Sequence, residues 1–213
     1  MLKHVQGRSL AIVTFVLTVD QRNSRRGPDR VPEAIARLSR EHRPLRGFER
    51  TVGDEFQGVL DDPAEVVSVV LELVRLGGWS IGVGAGPVEE PLPASTREAR
   101  GPAFVMAREA VERAKHRPAG VVVVAADPVA GREAEAVLAL LAVVVRRRSP
   151  AAWDAVDLVA EGLSVTEAAQ KLGITRQAAG QRLAAGNWQQ ERDARPVAAH
   201  LLAGAAAPAP VAA

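Results

Sequence analysis

The sequence predicts an α+β fold, in which a ferredoxin-like or palm-like βαββαβ sheet with helices on one face precedes an all-α domain. Two observations lead to this prediction. Short apolar segments rich in β-branched residues alternate with helical segments up to residue 125, whereas the chain after residue 149 shows only helical patterns. Ser149-Pro150 separates the two parts, because a proline disrupts a helix anywhere beyond its first turn.

The predicted elements follow the order strand, helix, strand, strand, helix, strand, helix, strand. The first six give the βαββαβ order of ferredoxin-like and palm domains. Gly53-Asp54 marks a hairpin turn between the second and third strands. Strands are predicted at residues 9–19, 46–52, 55–60, 79–88 and 120–125, and helices at residues 31–41, 64–76 and 102–115.

The same patterns divide the chain into four segments. Residues 1–127 form the palm-like domain, residues 128–149 a linker or dimerisation helix, and residues 150–203 a helical domain, before a disordered Ala/Pro tail at residues 204–213. The apolar residues of the 128–149 helix leave two alternatives open. They form a seam between two copies of the chain, or they pack on the chain's own sheet.

The composition excludes several classes of protein. The chain has no cysteine, which excludes disulfides, thiolate catalysis and iron–sulfur clusters. The four histidines are scattered, so any metal is expected to be a hard, oxygen-bound cation. Neither a membrane-spanning run nor a secretory signal is apparent, so we expect a cytoplasmic protein without a membrane partner. The net charge of +2 does not by itself indicate nucleic-acid binding.

Capping signals define three successive helices after residue 150. Ser164 and Glu167 form a capping box, Gly173 supplies a left-handed turn, and Thr175 caps the third helix. Ile174 and Leu183 are expected to fill the core between the helices. The helices are predicted at residues 151–161, 165–172 and 176–185.

The segment at residues 163–183, LSVTEAAQKLGITRQAAGQRL, resembles the helix-turn-helix of sigma-factor region 4 and related bacterial regulators. The resemblance implies that the third helix enters the major groove of double-stranded DNA. There, Gln pairs with adenine and Arg with guanine or phosphate. The alternative is a small helical bundle for dimerisation, which uses the same capping chemistry. The residues predicted to bind DNA are Thr166, Thr175, Arg176, Gln177, Gln181 and Arg182.

Two acidic residues are expected at one edge of the sheet. Asp20 ends the first strand, and Asp54 lies in the hairpin beside that strand. Two adjacent carboxylates repel each other unless a proton or a cation neutralises them, and Mg²⁺ with a triphosphate is the natural occupant. The alternative is that Asp54 only shapes a β-turn and Asp20 only caps a strand end.

Several segments around these acids resemble SatD-family proteins over about residues 9–125. They are Asp20 with Asn23-Ser24-Arg25, GDEFQG at 53–58, WSIGVG at 79–84, and GPAF at 101–104 with Ala107-Arg108. The layout is similar, more distantly, to the palm of class III nucleotide cyclases and diguanylate cyclases. That similarity implies metal ligands at Asp20 and Asp54, and a transition-state arginine at Arg108. Val105 and Met106 stand where the cyclase helix carries an Asn before this arginine.

Two further arginines, Arg97 and Arg100, flank a loop with Ser95 and Thr96. They bind phosphate, or they are ordinary solvated charges. Together, the patterns predict a DNA-binding transcriptional regulator that acts as a homodimer, with a palm-like domain that senses a nucleotide or mediates assembly. The alternative is a nucleotidyl cyclase-like enzyme that holds a divalent metal and a nucleoside triphosphate on Asp20 and Asp54.

Overall fold

The computed structural model describes residues 14–207 and has an α+β fold with a mixed five-stranded sheet. The strands are β1 (Phe15–Gln21), β2 (Arg46–Arg50), β3 (Glu55–Leu60), β4 (Trp79–Ala85) and β5 (Val121–Ala125). The helices are α1 (Val31–Glu41), α2 (Pro63–Leu76), α3 (Pro102–Lys115), α4 (Pro128–Arg146), α5 (Pro150–Ala160), α6 (Val165–Leu172), α7 (Arg176–Ala185) and α8 (Trp188–Ala206).

The sheet confirms the predicted order of elements. Its strands lie in the order β2-β3-β1-β4-β5, and all neighbours are antiparallel except β4 and β5, which are parallel and joined through α3. Asp20 lies within β1 rather than after it, opposite Glu55 on β3 and Ser80 on β4. The first part of the predicted strand, residues 9–13, lies outside the described residues.

Helices cover both faces of the sheet. The helices α1 and α2 pack on the face that carries Phe15, Leu17 and Val19. The prediction that the helices of this domain lie on one face is therefore wrong, because α3 packs on the other. The opposite face is covered by α3, whose alanines pack against Val16 and against Val122 on β5. The third predicted helix is therefore the element that closes the second face.

Glycines on β4 set how closely α3 approaches the sheet. A Cβ atom added to Gly84 would overlap the backbone of Ala103 and Ala107 on α3, and one added to Gly82 would overlap Ala107 and Val111. Protein interiors are close-packed, so the helix cannot move away without losing its other contacts. These glycines therefore admit a helix, which is the reason for the Gly-rich pattern of this strand.

The segment predicted as a linker or dimerisation helix is part of the core. One side of α4 packs on the sheet and on α8 through Ala134, Leu138 and Ala142, which is the second of the two alternatives. Its opposite side leaves Leu140 68% and Val143 41% exposed. Packing the longer apolar side of α4 on the chain's own sheet removes more apolar surface from water than a seam between two copies would, so this arrangement gives the lower free energy.

The predicted disordered tail begins too early. Helix α8 continues to Ala206, and Leu202, Ala205 and Ala206 are buried in the main core. Alanine favours a helix, and the packing against α4 outweighs the low complexity of this segment. The rest of the predicted tail, residues 208–213, lies outside the described residues.

A buried arginine joins the five-stranded sheet and helices α1–α4 (the sheet domain) to the C-terminal helices α5–α8. The side chain of Arg148, which follows α4, is fully buried and donates through Nε and Nη2 to the carbonyl oxygen of Gly186. It also forms an ion pair with Glu191 on α8, which Arg195 contacts from the other side. Its guanidinium lies 4.3 Å from the ring centroid of Trp153 on α5.

We predict that Gly84→Ala lowers the free energy of unfolding by about 3 kcal/mol, because the new methyl group overpacks the contact between β4 and α3. Chemical denaturation of the full chain measures this change. Gly47→Ala on β2 is the matched control, since a Cβ there meets no atom within 4 Å. Equal stability of the two variants would contradict the close approach.

Candidate functional sites

The helix-turn-helix is built by the predicted caps. Ser164 and Glu167 form both hydrogen bonds of the capping box, at 3.3 and 2.8 Å. Gly173 adopts the left-handed conformation, with φ of 65°, and turns the chain from α6 into α7. The Thr175 hydroxyl accepts a hydrogen bond from the backbone N–H of Ala178 and starts α7. Each helix therefore begins and ends through local chemistry.

Small residues let the three helices cross closely. Ala168 and Ala169 of α6 and Ala179 of α7 are buried, and α5, α6 and α7 all contact one another. Ile174 and Leu183, which were expected to fill the core, are only half-buried. Because alanines fill its core, the bundle of α5, α6 and α7 has less room for larger side chains, and Ile174 and Leu183 therefore lie at its margin.

The predicted DNA-contacting residues lie on the accessible side of the bundle. Arg176, Gln177 and Gln181 are exposed along one side of α7, and Arg182 is half-buried. Thr166 and Thr175 are exposed near the N-termini of α6 and α7. The opposite side of α7 carries Ala179 into the bundle. The arrangement leaves α7 free to contact an external partner.

The structure brings Asp20 and Asp54 to one cavity of about 700 Å³. The backbone N–H of Gln21 donates to the Asp54 carbonyl at 3.1 Å, which holds the hairpin against the end of β1. The cavity is also lined by Ser80 and by the residues 21–25 that follow β1. The predicted pair of acids is therefore present at one edge of the sheet.

Sequence reasoning missed Lys115, which neutralises one of these acids. Its Nζ atom lies 3.3 Å from Asp20 Oδ2. Burial raises the pKa of Asp20, the charges of Asp54 and Glu55 raise it further, and Lys115 opposes these effects. Lys115 is the last residue of α3, so its position is predictable only once α3 is known to cross the sheet beside β1.

This ion pair bears on the expected Mg²⁺ ion. A divalent cation on Asp20 has to compete with an ammonium group already in contact with the carboxylate. Within the described part of the chain, no group of three or more His, Cys, Asp or Glu side chains is arranged to hold a metal. The donor set thus fits an internal ion pair better than a Mg²⁺ site, and metal binding stays a prediction.

The three arginines singled out in the sheet domain converge on a second cavity, of about 1040 Å³. Arg97 and Arg100 come from the loop before α3, and Arg108 comes from α3 itself. Glu89 and Glu109 also line the cavity, so its charge is mixed. The two cavities flank the same hairpin, which contributes Val52 to one and Asp54 to the other. Arg108 therefore does not share a cavity with the two acids.

Comparisons with protein-family models, with curated proteins and with solved structures each found no match to the chain. The resemblance to SatD-family proteins therefore stays a prediction. Among residues 14–207, no helix is both long and apolar enough to cross a lipid bilayer.

We predict that Lys115→Gln tightens the binding of Mn²⁺ about tenfold, because the variant removes the positive charge that competes for Asp20. Isothermal titration calorimetry of the full chain with Mn²⁺ measures this affinity. Lys115→Arg is the control, since it keeps the charge and should bind Mn²⁺ as weakly as the original chain. Unchanged affinity in Lys115→Gln would show that the ion pair does not govern cation binding.

Proposed function

We propose that the protein is a transcriptional regulator that binds double-stranded DNA through α6 and α7. The observation that supports this proposal is the exposed side of α7, where Arg176, Gln177 and Gln181 are free of the protein core. An α-helix fits the major groove, and these side-chain types form hydrogen bonds with base edges and phosphates there.

The anchoring of the bundle also supports this proposal. Arg75 on α2 forms a bidentate pair with Asp157 on α5, at 2.7 and 2.6 Å, and its guanidinium lies 3.8 Å from the Trp153 ring centroid. These contacts hold α5 against the sheet domain. A ligand or a partner of the sheet domain is therefore mechanically connected to the DNA-binding helix.

A homodimer is part of the proposal. Arg195 is engaged by Glu191 within the protein, so the exposed positive charge of one bundle is small. Phosphate contacts supply much of the affinity for DNA, and two copies double their number. The exposed side of α4 with Leu140 and Val143 is one surface through which copies could pair. Analytical ultracentrifugation determines the oligomeric state directly.

We predict that Arg176→Ala combined with Gln177→Ala weakens DNA binding at least about tenfold, because each base contact contributes about 1–3 kcal/mol. Duplexes selected by the protein from a randomised pool serve as the probe, and fluorescence anisotropy measures the affinity. The affinity of the original chain should fall linearly with salt concentration on a double-logarithmic plot.

The control for this experiment is Arg40→Ala, which removes an exposed arginine from α1 and should leave the affinity unchanged. The groove assignment is wrong if the α7 variant selects and binds the same duplexes as the original chain. Failure of the original chain to enrich any duplex would contradict DNA binding itself.

The cavity with Arg97, Arg100 and Arg108 favours a second function, the binding of a nucleotide by the sheet domain. Three guanidinium groups beside one cavity suit the oxygens of a polyphosphate, which accept several charge-assisted hydrogen bonds. The cyclase-like alternative needs a divalent metal on Asp20 and Asp54, and the Lys115 ion pair competes with that cation. We therefore favour binding without turnover.

We predict that ATP or GTP raises the thermal midpoint of the full chain even in the presence of EDTA, because ligand binding stabilises the folded state. Arg97→Ala combined with Arg108→Ala should abolish this shift, whereas Arg40→Ala should preserve it. A cyclic product formed with Mn²⁺ and lost in Asp54→Asn would favour the enzyme instead. The absence of any shift with either nucleotide would contradict the sensor.

A further inference from the structure

A third cavity lies between the sheet domain and the helix-turn-helix. It has a volume of about 370 Å³ and is lined by Arg22 after β1, the end of α2, the start of β4, the end of α4 and the start of α5. Its charged lining residues are four arginines, Arg22, Arg75, Arg146 and Arg148. The indoles of Trp79 and Trp153 complete the polar part of the wall.

Two of these arginines donate to neutral groups. Arg22 donates to Ser80 Oγ and to the carbonyls of Ala114 and Arg117, and Arg146 donates to the carbonyls of residues 118 and 119. Burial and the like charge of Arg146 lower the pKa of Arg22, while Asp20 opposes this effect. The carbonyl oxygens accept hydrogen bonds from these two guanidinium groups but carry no negative charge that would neutralise them. The cavity therefore keeps the positive charge of both arginines.

The other two arginines have carboxylate partners outside the cavity wall. Arg75 pairs with Asp157, and Arg148 pairs with Glu191, which also serves Arg195. The negative end of the α2 dipole does not offset the remaining charge, because Arg30 already donates to the carbonyls of Leu76 and Gly77. The lining thus has an excess of cations over anions.

Two buried donors of the same lining residues have no acceptor among residues 14–207. They are Nε1 of Trp79 and Nη1 of Arg148. A buried donor without an acceptor costs about 1–3 kcal/mol, so such groups are rare unless a ligand or water meets them. Both belong to residues that line this cavity.

We propose that this junction cavity binds a small oxyanion that carries phosphate groups. The volume exceeds that of a single phosphate and lies within the range of small-ligand sites. Guanidinium groups recognise phosphate oxygens through parallel N–H donors. The anion would contact Arg22 after β1, Arg75 on α2 and Arg146 at the end of α4, beside Trp153 on α5. It therefore stabilises the junction that orients α7, independently of whether DNA is bound.

Titration of the full chain with inorganic pyrophosphate at constant ionic strength tests the proposal. Pyrophosphate should raise the thermal midpoint and change the tryptophan fluorescence, since two of the three tryptophans line the cavity. Arg146→Gln should weaken the binding about tenfold. Arg147→Gln is the matched control, because it removes the same charge from the adjacent exposed residue outside the cavity. Equal affinity of the two variants overturns the proposal.

Hydrogen exchange of the unmodified chain locates the anion without relying on any variant. Slower exchange at residues 76–79 and 148–156 on addition of pyrophosphate is the expected result. Slower exchange confined to residues 96–108 would place the anion in the cavity of Arg97 and Arg100, and no change anywhere would mean no site; both results overturn the proposal. Neither measurement involves DNA, so its failure is distinguishable from a failure of the proposed regulation.

Discussion

The buried guanidinium of Arg148 is the constraint on which the arrangement of the two parts of the chain depends. Arg148 directly follows α4. Its guanidinium donates to the carbonyl oxygen of Gly186, which lies between α7 and α8, and it forms an ion pair with Glu191 on α8 beside the ring of Trp153. Removing one partner of a buried pair costs about 3–5 kcal/mol, because the other charge is left uncompensated. A slip of the bundle along the sheet would break all of these contacts together. One side chain thereby fixes four helices relative to one another.

This constraint gives the polar side of α7 a fixed direction. Helix α8 leaves the bundle and packs against α4 through Ala198 and Leu202, so the bundle is held by α8 as well as by α5. Reading a groove requires side chains that are already in position, because ordering a loose helix would cost conformational entropy on binding. The junction cavity lies beside the same contacts between the two parts of the chain.

Local sequence signals predicted the elements well and long-range contacts poorly. The capping box, Gly173 and the bounds of α3 follow from neighbouring residues, and all are present. The arginine triplet at residues 146–148 shows what local patterns cannot give. Cations near a helix C-terminus suit the negative end of the helix dipole. In the structure, however, Arg146 donates to the carbonyls before β5, Arg147 is exposed, and Arg148 is buried. Lys115 likewise gains its role only from a carboxylate 95 positions earlier in the chain. Such contacts depend on tertiary packing that no short window contains.

The central proposal is that α6 and α7 lie against duplex DNA, with the exposed side of α7 in the major groove. Photocrosslinking tests this claim most directly, with a photoreactive amino acid placed at Gln177 on α7 and, in a second protein, at Val143 on the exposed side of α4. Duplexes selected by the original chain are irradiated with each protein under identical salt conditions. The account predicts crosslinks to DNA from position 177 and none from position 143. Crosslinks from position 143 alone, or from neither position with DNA bound, would contradict it.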